Sequence, residues 1–393
     1  MTKDHQVFVT DAQMRSSLAV IRSLGKKGLT VTGADETRFA TGLFSKYCTK
    51  HVVYPSPKKN EHDFTEYIID FFKNNQYDVI FPVADFCLRP IIDSEQILSQ
   101  YVKIALPPKE VFLTGYDKGK TFEIASRIGI PIPETHCIDS IDDLFNLEDA
   151  GRFKYPILLK PRISSGRKGV KICENFEETI EAFKHLTQLH GLMLVQEFIP
   201  NGGEFGIYVL MNDDSEPRAY TAQRRLRSYP YYGGPSTLRE TFQDKCSERA
   251  KEIAFSLLKA MKWRGVAMVE FRIDPRDNIP KLMEVNPRFW GSLQLSILSG
   301  VDFPWLYYTM LMEGDVKPVM KYTSKVQCRW MLPGDMLWYA TTPGKLKNLK
   351  EFLRLNNNYD ILSWEDPGPT IGFFSATMRY LFDKDMWNLV LRR

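Results

Sequence analysis

The sequence predicts two architectures in succession: an α/β domain built on a doubly wound parallel sheet, then an α+β body made mostly of antiparallel strands. Three observations predict this. Strand-like and helix-like segments alternate over the first 108 residues, short strands crowd residues 155 to 210 around one helix, and residues 264 to 288 read as two strands joined by a polar turn.

In the first domain "QVFVT" at 6 to 10 is a short apolar run of strand length, and residues 12 to 27 carry Leu18, Ile21 and Leu24 at helical spacing before Gly25 and Gly28. "LTVTGAD" gives a second strand, and "YDVIFPVAD" at 77 to 85 a third, fed by the helix "FTEYIIDFFKNN". Such alternation implies parallel strands with helical crossovers. The first turn, "TDAQMRSSLA", contains no glycine. A dinucleotide fold needs glycines there so that the backbone can approach a pyrophosphate, which disfavours a dehydrogenase-like domain. Arg15 and Ser16, at the start of the following helix, either meet an anionic substrate group or cap the helix.

"LPPKEVFLTGYDKGK" at 106 to 120 has the prolines and turn residues of a junction, which sets a boundary at 108. A helix over 119 to 128 ends at "IGIPIPET". The strands "YPILLKP", "GVKIC", "LMLVQEF" and "EFGIYVLM", with a helix at 176 to 189, then form a small α+β subdomain spanning about 121 to 200.

Several segments bear chemistry. In "KLMEVNPRFWGS" Glu284 and Asn286 are two apart, so a strand projects both to one face, with Arg288 just beyond. Carboxylate and amide oxygens suit Mg²⁺, which shares a nucleotide's phosphates, and a guanidinium beside it suits an anion. A strand running into an Asn-Pro turn is the ordinary alternative. Glu270 precedes Glu284 by 14 residues, so a hairpin with its turn around Pro275 to Asn278 brings the two carboxylates side by side. They repel unless a cation lies between them. "YPILLKPRISSGRKGV" joins Lys160 to a loop, Ser164 to Gly169, with Ser165, Gly166, Arg167 and Lys168 inside it. Its glycines and hydroxyls suit a triphosphate cover, although a basic surface hairpin fits as well, and it is no Walker A loop. "LVQEFIPNGGEFGIYVL" sets Glu197 and Glu204 at two strand ends, placed to accept from an adenine amine and ribose hydroxyls or simply to face water. Residues 221 to 240 hold four arginines and three tyrosines around Gly233 and Gly234 and read as a loop; Arg225 and Arg227 are candidates for a substrate carboxylate.

Composition narrows the class. The chain has 393 residues, 44% hydrophobic and 25% charged, with a net charge of +4, which does not point to nucleic acid. Six cysteines without a CxxC read as reduced thiols of a cytoplasmic protein. No secretory signal or membrane-spanning run is expected from "MTKDHQVFVTDAQMR" or from any apolar stretch.

These motifs, in this order, resemble the ATP-grasp superfamily of carboxylate-activating ligases, and within it the synthetase domains of the carbamoyl-phosphate synthetase large subunit. The resemblance covers roughly residues 1 to 315. It implies a pre-ATP-grasp domain over 1 to 108, a two-subdomain ATP-grasp fold over 109 to 315, and a C-terminal extension, 316 to 393, of unstated role, for which packing on the body is preferred to a membrane-surface function. "YDKGK" then makes Lys118 a phosphate contact, Lys160 a second, and Ser164, Ser165, Gly166 and Gly169 part of the covering loop. Glu197 would face adenine beside the Phe198 and Ile199 backbone, and Glu204 the ribose. Glu270, Glu284 and Asn286 match metal ligands for Mg²⁺ or Mn²⁺, and Arg288 and Lys160 the groups that steady the transferring phosphate.

The activity implied is activation of a carboxylate by ATP as an acyl phosphate and its capture by an amine, with ADP and phosphate released. Phosphorylation of a small carboxylate in the carbamoyl-phosphate manner, or a non-catalytic nucleotide-binding role, are the alternatives. A biotin carboxylase role is disfavoured by a loop poorer in glycine and the lack of a biotin signature. Small-molecule partners are implied, a homodimer stays open, and the acid and amine are not identified.

Overall fold

The computed structural model describes residues 5–164, 168–230, 234–354 and 358–380. The N-terminal strands β1 (Gln6–Val9), β2 (Thr30–Asp35), β3 (Lys50–Val53), β4 (Val79–Phe81) and β5 (Lys103–Ile104) form one parallel sheet in the order β3-β2-β1-β4-β5. Successive residues of β1 enter different cores: Val7 and Val9 face a cluster shared with the rest of the chain, while Phe8 packs with Ile80, Phe64 and Leu88. Burial on both faces is what a continuous apolar run in a parallel sheet requires. The sequence reading missed β3 and β5, which are short, and extended β4 too far, since Asp85 already opens the helix Asp85–Asp93.

The strand order reverses between β1 and β4. Asp11, just past β1 at a φ of 56°, accepts from the Ala84 N–H at 2.9 Å and from the Cys87 thiol at 3.1 Å, tying the two strand ends together. This crevice is where a doubly wound sheet receives ligands, and Asp85 stands at its rim.

A second, antiparallel sheet comprises β6 (Thr135–Ile138), β7 (Ile157–Pro161), β8 (Lys171–Cys173) and β9 (Met193–Glu197) in the order β6-β9-β7-β8. The helix Phe176–His190 packs on it through Phe183, and its N-terminus is capped by Asn175, whose side chain accepts from Glu178 N at 2.9 Å. The third sheet is antiparallel and six-stranded: β10 (Glu204–Met211), β11 (Pro217–Ser228), β12 (Ser236–Thr241), β13 (Gly265–Asp274), β14 (Ile279–Asn286) and β15 (Gln327–Arg329), in the order β14-β13-β10-β11-β12-β15.

The segment read as an arginine-rich loop, 221 to 240, is largely β11 and β12. Its arginines alternate into a strand because acidic partners from neighbouring strands and from the C-terminal segment neutralise them. β15 adds to the β12 edge, and the residues after it are held by buried ion pairs: Asp335 takes Arg329 and Arg227, Asp360 takes Arg15 and Arg239, and Asp366 takes Arg22. Among the described residues no helix is long and apolar enough to cross a membrane.

Candidate active site

The centre of the site is the β13–β14 ladder. Glu270 and Glu284 stand directly opposite one another, a bulge following Glu270. Opposed residues share a face, so both carboxylates project to the same side. Asn286 leans across them, its Nδ2 3.1 Å from Glu284 Oε1 and 3.5 Å from Glu270 Oε1. Rotation of that amide about its last torsion would present Oδ1 instead.

Cations surround the pair. Lys118 Nζ lies 3.6 Å from Glu284 Oε2, and Arg225 Nη2 lies 3.0 Å from Glu270 Oε2. Burial pushes the Glu270 carboxyl up to about 7 against the pull of Arg225, with Glu284 and Glu204 adding to the rise. Burial works the same way on Glu284, but Lys118, the Asn286 hydrogen bond and Lys160 hold it below the usual carboxylate range. Two acids and an amide in a partly dry pocket, one acid with its pKa raised, are a donor set that fits a hard divalent cation completing its shell with phosphate and water. Among the described residues no group of three or more His, Cys, Asp or Glu forms a self-sufficient metal cage.

Each cation has a local reason for its position. Asp117 caps the helix Lys118–Arg127, accepting from Gly119 N at 2.8 Å, and also receives Arg162 Nη2 at 2.8 Å. A side chain at position 119 would meet Arg162 Nε at 2.8 Å, so the glycine lets the helix start beside the end of β7. Lys118 Nζ then reaches Ser164 O at 2.6 Å, at the root of the loop. Lys160, buried on β7, donates to Gln196 Oε1 at 2.8 Å, and burial together with Lys118 pushes its ammonium down to about 7. Arg288 Nε donates to Asp85 Oδ1 at 2.7 Å, and its Nη2 lies 3.4 Å from Asn286 Oδ1. Burial opposes the Arg288 charge, but Asp85, Glu284 and Glu270 together more than offset it.

The two carboxylates expected at a nucleoside are occupied by arginines. Glu197 Oε1 takes Arg276 at 2.6 Å while its Oε2 accepts from Glu134 N at 3.3 Å. Glu204 is held by Arg225 at 3.1 Å and by Arg272, which also donates to the Ile199 carbonyl at 3.0 Å. Phe198 is half-buried and Ile199 fully buried beside them. Thus Lys118, Lys160, Ser164, Glu270, Glu284, Asn286 and Arg288 converge, with Glu204 joined to them through Arg225; Glu197 stands apart, at the Arg276 side. Gly169 has a φ of 72°, and Ser165, Gly166 and Arg167 fall outside the described residues.

Sequence reasoning missed Asp85, Gln196 and Arg272. For the first two there was no signal, because the partner lies in another part of the chain. Arg272 had one: it is two residues after Glu270 and therefore on the same face. Of the two arginines offered for a substrate, Arg227 is instead buried against Asp335, at 3.1 Å, with its guanidinium over Trp338.

Residues 190–332 match a family model described as ATP-grasp in the biosynthetic pathway with Ter operon. The carbamoyl phosphate synthase large chain of Pyrococcus furiosus is 26% identical over 207 residues, 51% of this chain and 19% of that one, so the match spans about a fifth of that relative's length. Among solved structures, a biotin carboxylase from Campylobacter jejuni superposes with a TM-score of 0.69 at 17% identity, covering 82% of this chain and 74% of the other. An L-amino acid ligase from Bacillus licheniformis gives 0.59 at 17% identity, covering 81% and 79%. The chain thus shares the fold of these enzymes, resembles ATP-grasp proteins over residues 190–332, and is similar over about half its length to the large chain of carbamoyl phosphate synthase.

Proposed function

We propose that the chain is a carboxylate–amine ligase that activates an acid at the expense of the γ-phosphate of ATP. One observation carries the reading: Glu270 and Glu284 face each other across a ladder with Lys118, Lys160 and Arg288 around them, a constellation for phosphoryl transfer rather than for a nucleophilic side chain.

In this reading Lys118 and Lys160 neutralise the triphosphate, and the loop Ser164–Gly169 covers it. Glu270, Glu284 and, after rotation, the Asn286 amide would hold Mg²⁺ or Mn²⁺, whose contribution is charge neutralisation between phosphates. Glu197, Phe198 and Ile199 line the base, and Glu204 leaves its arginines to meet the ribose. Arg288, fixed by Asp85, meets the phosphate as it passes to the substrate carboxylate. The covering loop keeps water from the acyl phosphate until an amine displaces phosphate and forms the amide.

The amide-forming outcome is supported by the likeness to an amino acid ligase, while the likeness to a biotin carboxylase supports only the shared first step. The test is product analysis across a panel of amino acids and small acids. ADP and phosphate are expected, with one heavy oxygen from a labelled substrate carboxylate recovered in the phosphate. AMP and pyrophosphate, or unlabelled phosphate, would each overturn the reading.

A further inference from the structure

Next to the site, a buried and a partly buried guanidinium share a single carboxylate. Arg239, 1% exposed on β12, gives Nη2 to Asp360 Oδ1, whereas its Nε and Nη1 are shut off from solvent and have no acceptor among the described residues. Arg15 places Nη1 3.2 Å from Asp360 Oδ2 and stacks its guanidinium 4.1 Å over the Trp330 ring. Cys328, whose Sγ is 3.4 Å from Asp360 Oδ1, is a thiol driven upward by burial and adds no negative charge. Among the described residues, two cations therefore face one anion here. Buried donors and charges are nearly always matched, so a matched set here lacks one acceptor with a negative charge.

The position says what that acceptor belongs to. Arg239 lies opposite Arg225 on the β11–β12 ladder, and Arg225 holds Glu270, so both point to the face that carries the site. Arg15 belongs to the helix Arg15–Lys26, whose N-cap is Met14 with no side-chain cap, so neither Arg15 nor Ser16 caps it. Its guanidinium lies flat against Gly291, where any Cβ would come within 2.8 Å of Nη2, and Gly291 follows Arg288 by three residues. β12 is three strands from β13, on the order of 14 Å at about 4.8 Å per strand, and on the side away from Lys118. An anion there lies on the face that carries the site, across the sheet from Glu270 and Glu284.

We propose that Arg239 and Arg15 receive an oxyanion at the far end of the acid substrate, so that the substrate class is an acid bearing a second carboxylate or a phosphate several bonds from the carboxylate that is activated. With Asp360 retained, one such group balances the pocket's charge. The identity of the reacting end rests on the proposed ligation; the oxyanion pocket itself does not.

The test is thermal unfolding of the full chain without nucleotide, at constant ionic strength, titrated with glutarate and separately with inorganic phosphate. Glutarate or phosphate is expected to raise the Tm, and the one that does so in an Arg239-dependent way identifies the group. Arg239→Met and Arg15→Met should each weaken that anion at least tenfold, and Asp360→Asn, which removes the competing charge, should tighten it at least threefold. Should Arg239→Met fail to fold, Arg15→Met and Asp360→Asn decide by the same thresholds. Equal stabilisation of wild type and Arg239→Met, or stabilisation lost only in Lys160→Ala, which would locate the anion at the triphosphate lysines, overturns the proposal. Because no ATP is present, the result stands apart from whether ADP or AMP is the product.

Discussion

Arg225 holds Glu270 in the place a metal ion would compete for: its Nη2 is 3.0 Å from Glu270 Oε2, while Nη1 of the same guanidinium is 3.1 Å from Glu204 Oε2. One side chain thereby links the acid expected at the metal to the acid expected at the ribose. In the proposed reading, nucleotide and metal draw both away from it, and the arginine is a place-holder whose release is coupled to loading.

Replacing Arg225 with Met leaves Glu270 with no direct cationic partner. The metal-free protein is expected to lose about 2 kcal/mol, below the roughly 3–5 kcal/mol of a fully buried broken pair because the group keeps some solvent. Mg²⁺ should restore more stability to Arg225→Met than to wild type, read as the metal-induced rise in urea midpoint. An equal rise in both would show that Arg225 and the metal do not compete.

Glu284→Gln keeps the side chain's volume and removes its charge. Turnover is expected to fall at least about 100-fold at saturating Mg²⁺, with far-ultraviolet circular dichroism unchanged. Near wild-type turnover would remove Glu284 from the metal.

For Glu204→Ala, contacts to a ribose are uniform between ground and transition states, so the KM for ATP should rise about tenfold while kcat stays within about threefold. The structure adds that Arg225 is then free to grip Glu270 more firmly, so the Mg²⁺ requirement should rise in parallel. An unchanged KM for ATP would place the ribose elsewhere.

Lys160 gives a pH dependence of definite sign. Its folded value, lowered to about 7 by burial and Lys118, lies below that of the unfolded chain. From about pH 7 up to about 10 the unfolded state therefore binds the extra proton, and stability rises with pH through that window. ATP favours the charged ammonium, so binding should take up a proton above pH 7 and weaken by up to about tenfold per pH unit. Calorimetry in buffers of different ionisation enthalpy reads the proton directly; the Lys160→Met variant should show neither uptake nor slope. Uptake that persists in the variant would assign it to another group.

Much of the fold is legible because it is local. The β13–β14 hairpin declares itself by alternation and a polar turn, and its register follows from the spacing of Glu270 and Glu284. The helix Lys118–Arg127 declares itself by the Asp117 cap. What is hidden depends on partners far away in the chain. β11 carries arginines where a strand normally shows apolar alternation, and Glu240, Glu204, Glu270 and Asp335 make that tolerable. The hold of Asp85 on Arg288 crosses 203 residues, and the Arg239–Asp360 pair 121. No window of sequence contains both halves of such a contact.

The three aspartates after β15 have a bearing on where the molecule can be divided. Asp335, Asp360 and Asp366 supply the counter-charges of Arg227, Arg15, Arg239 and Arg22, all rooted in earlier parts of the chain. A polypeptide ended at residue 315 would keep every residue expected to touch ATP, yet strand those arginines in a low-dielectric interior and bare the β12 edge to pairing with other chains.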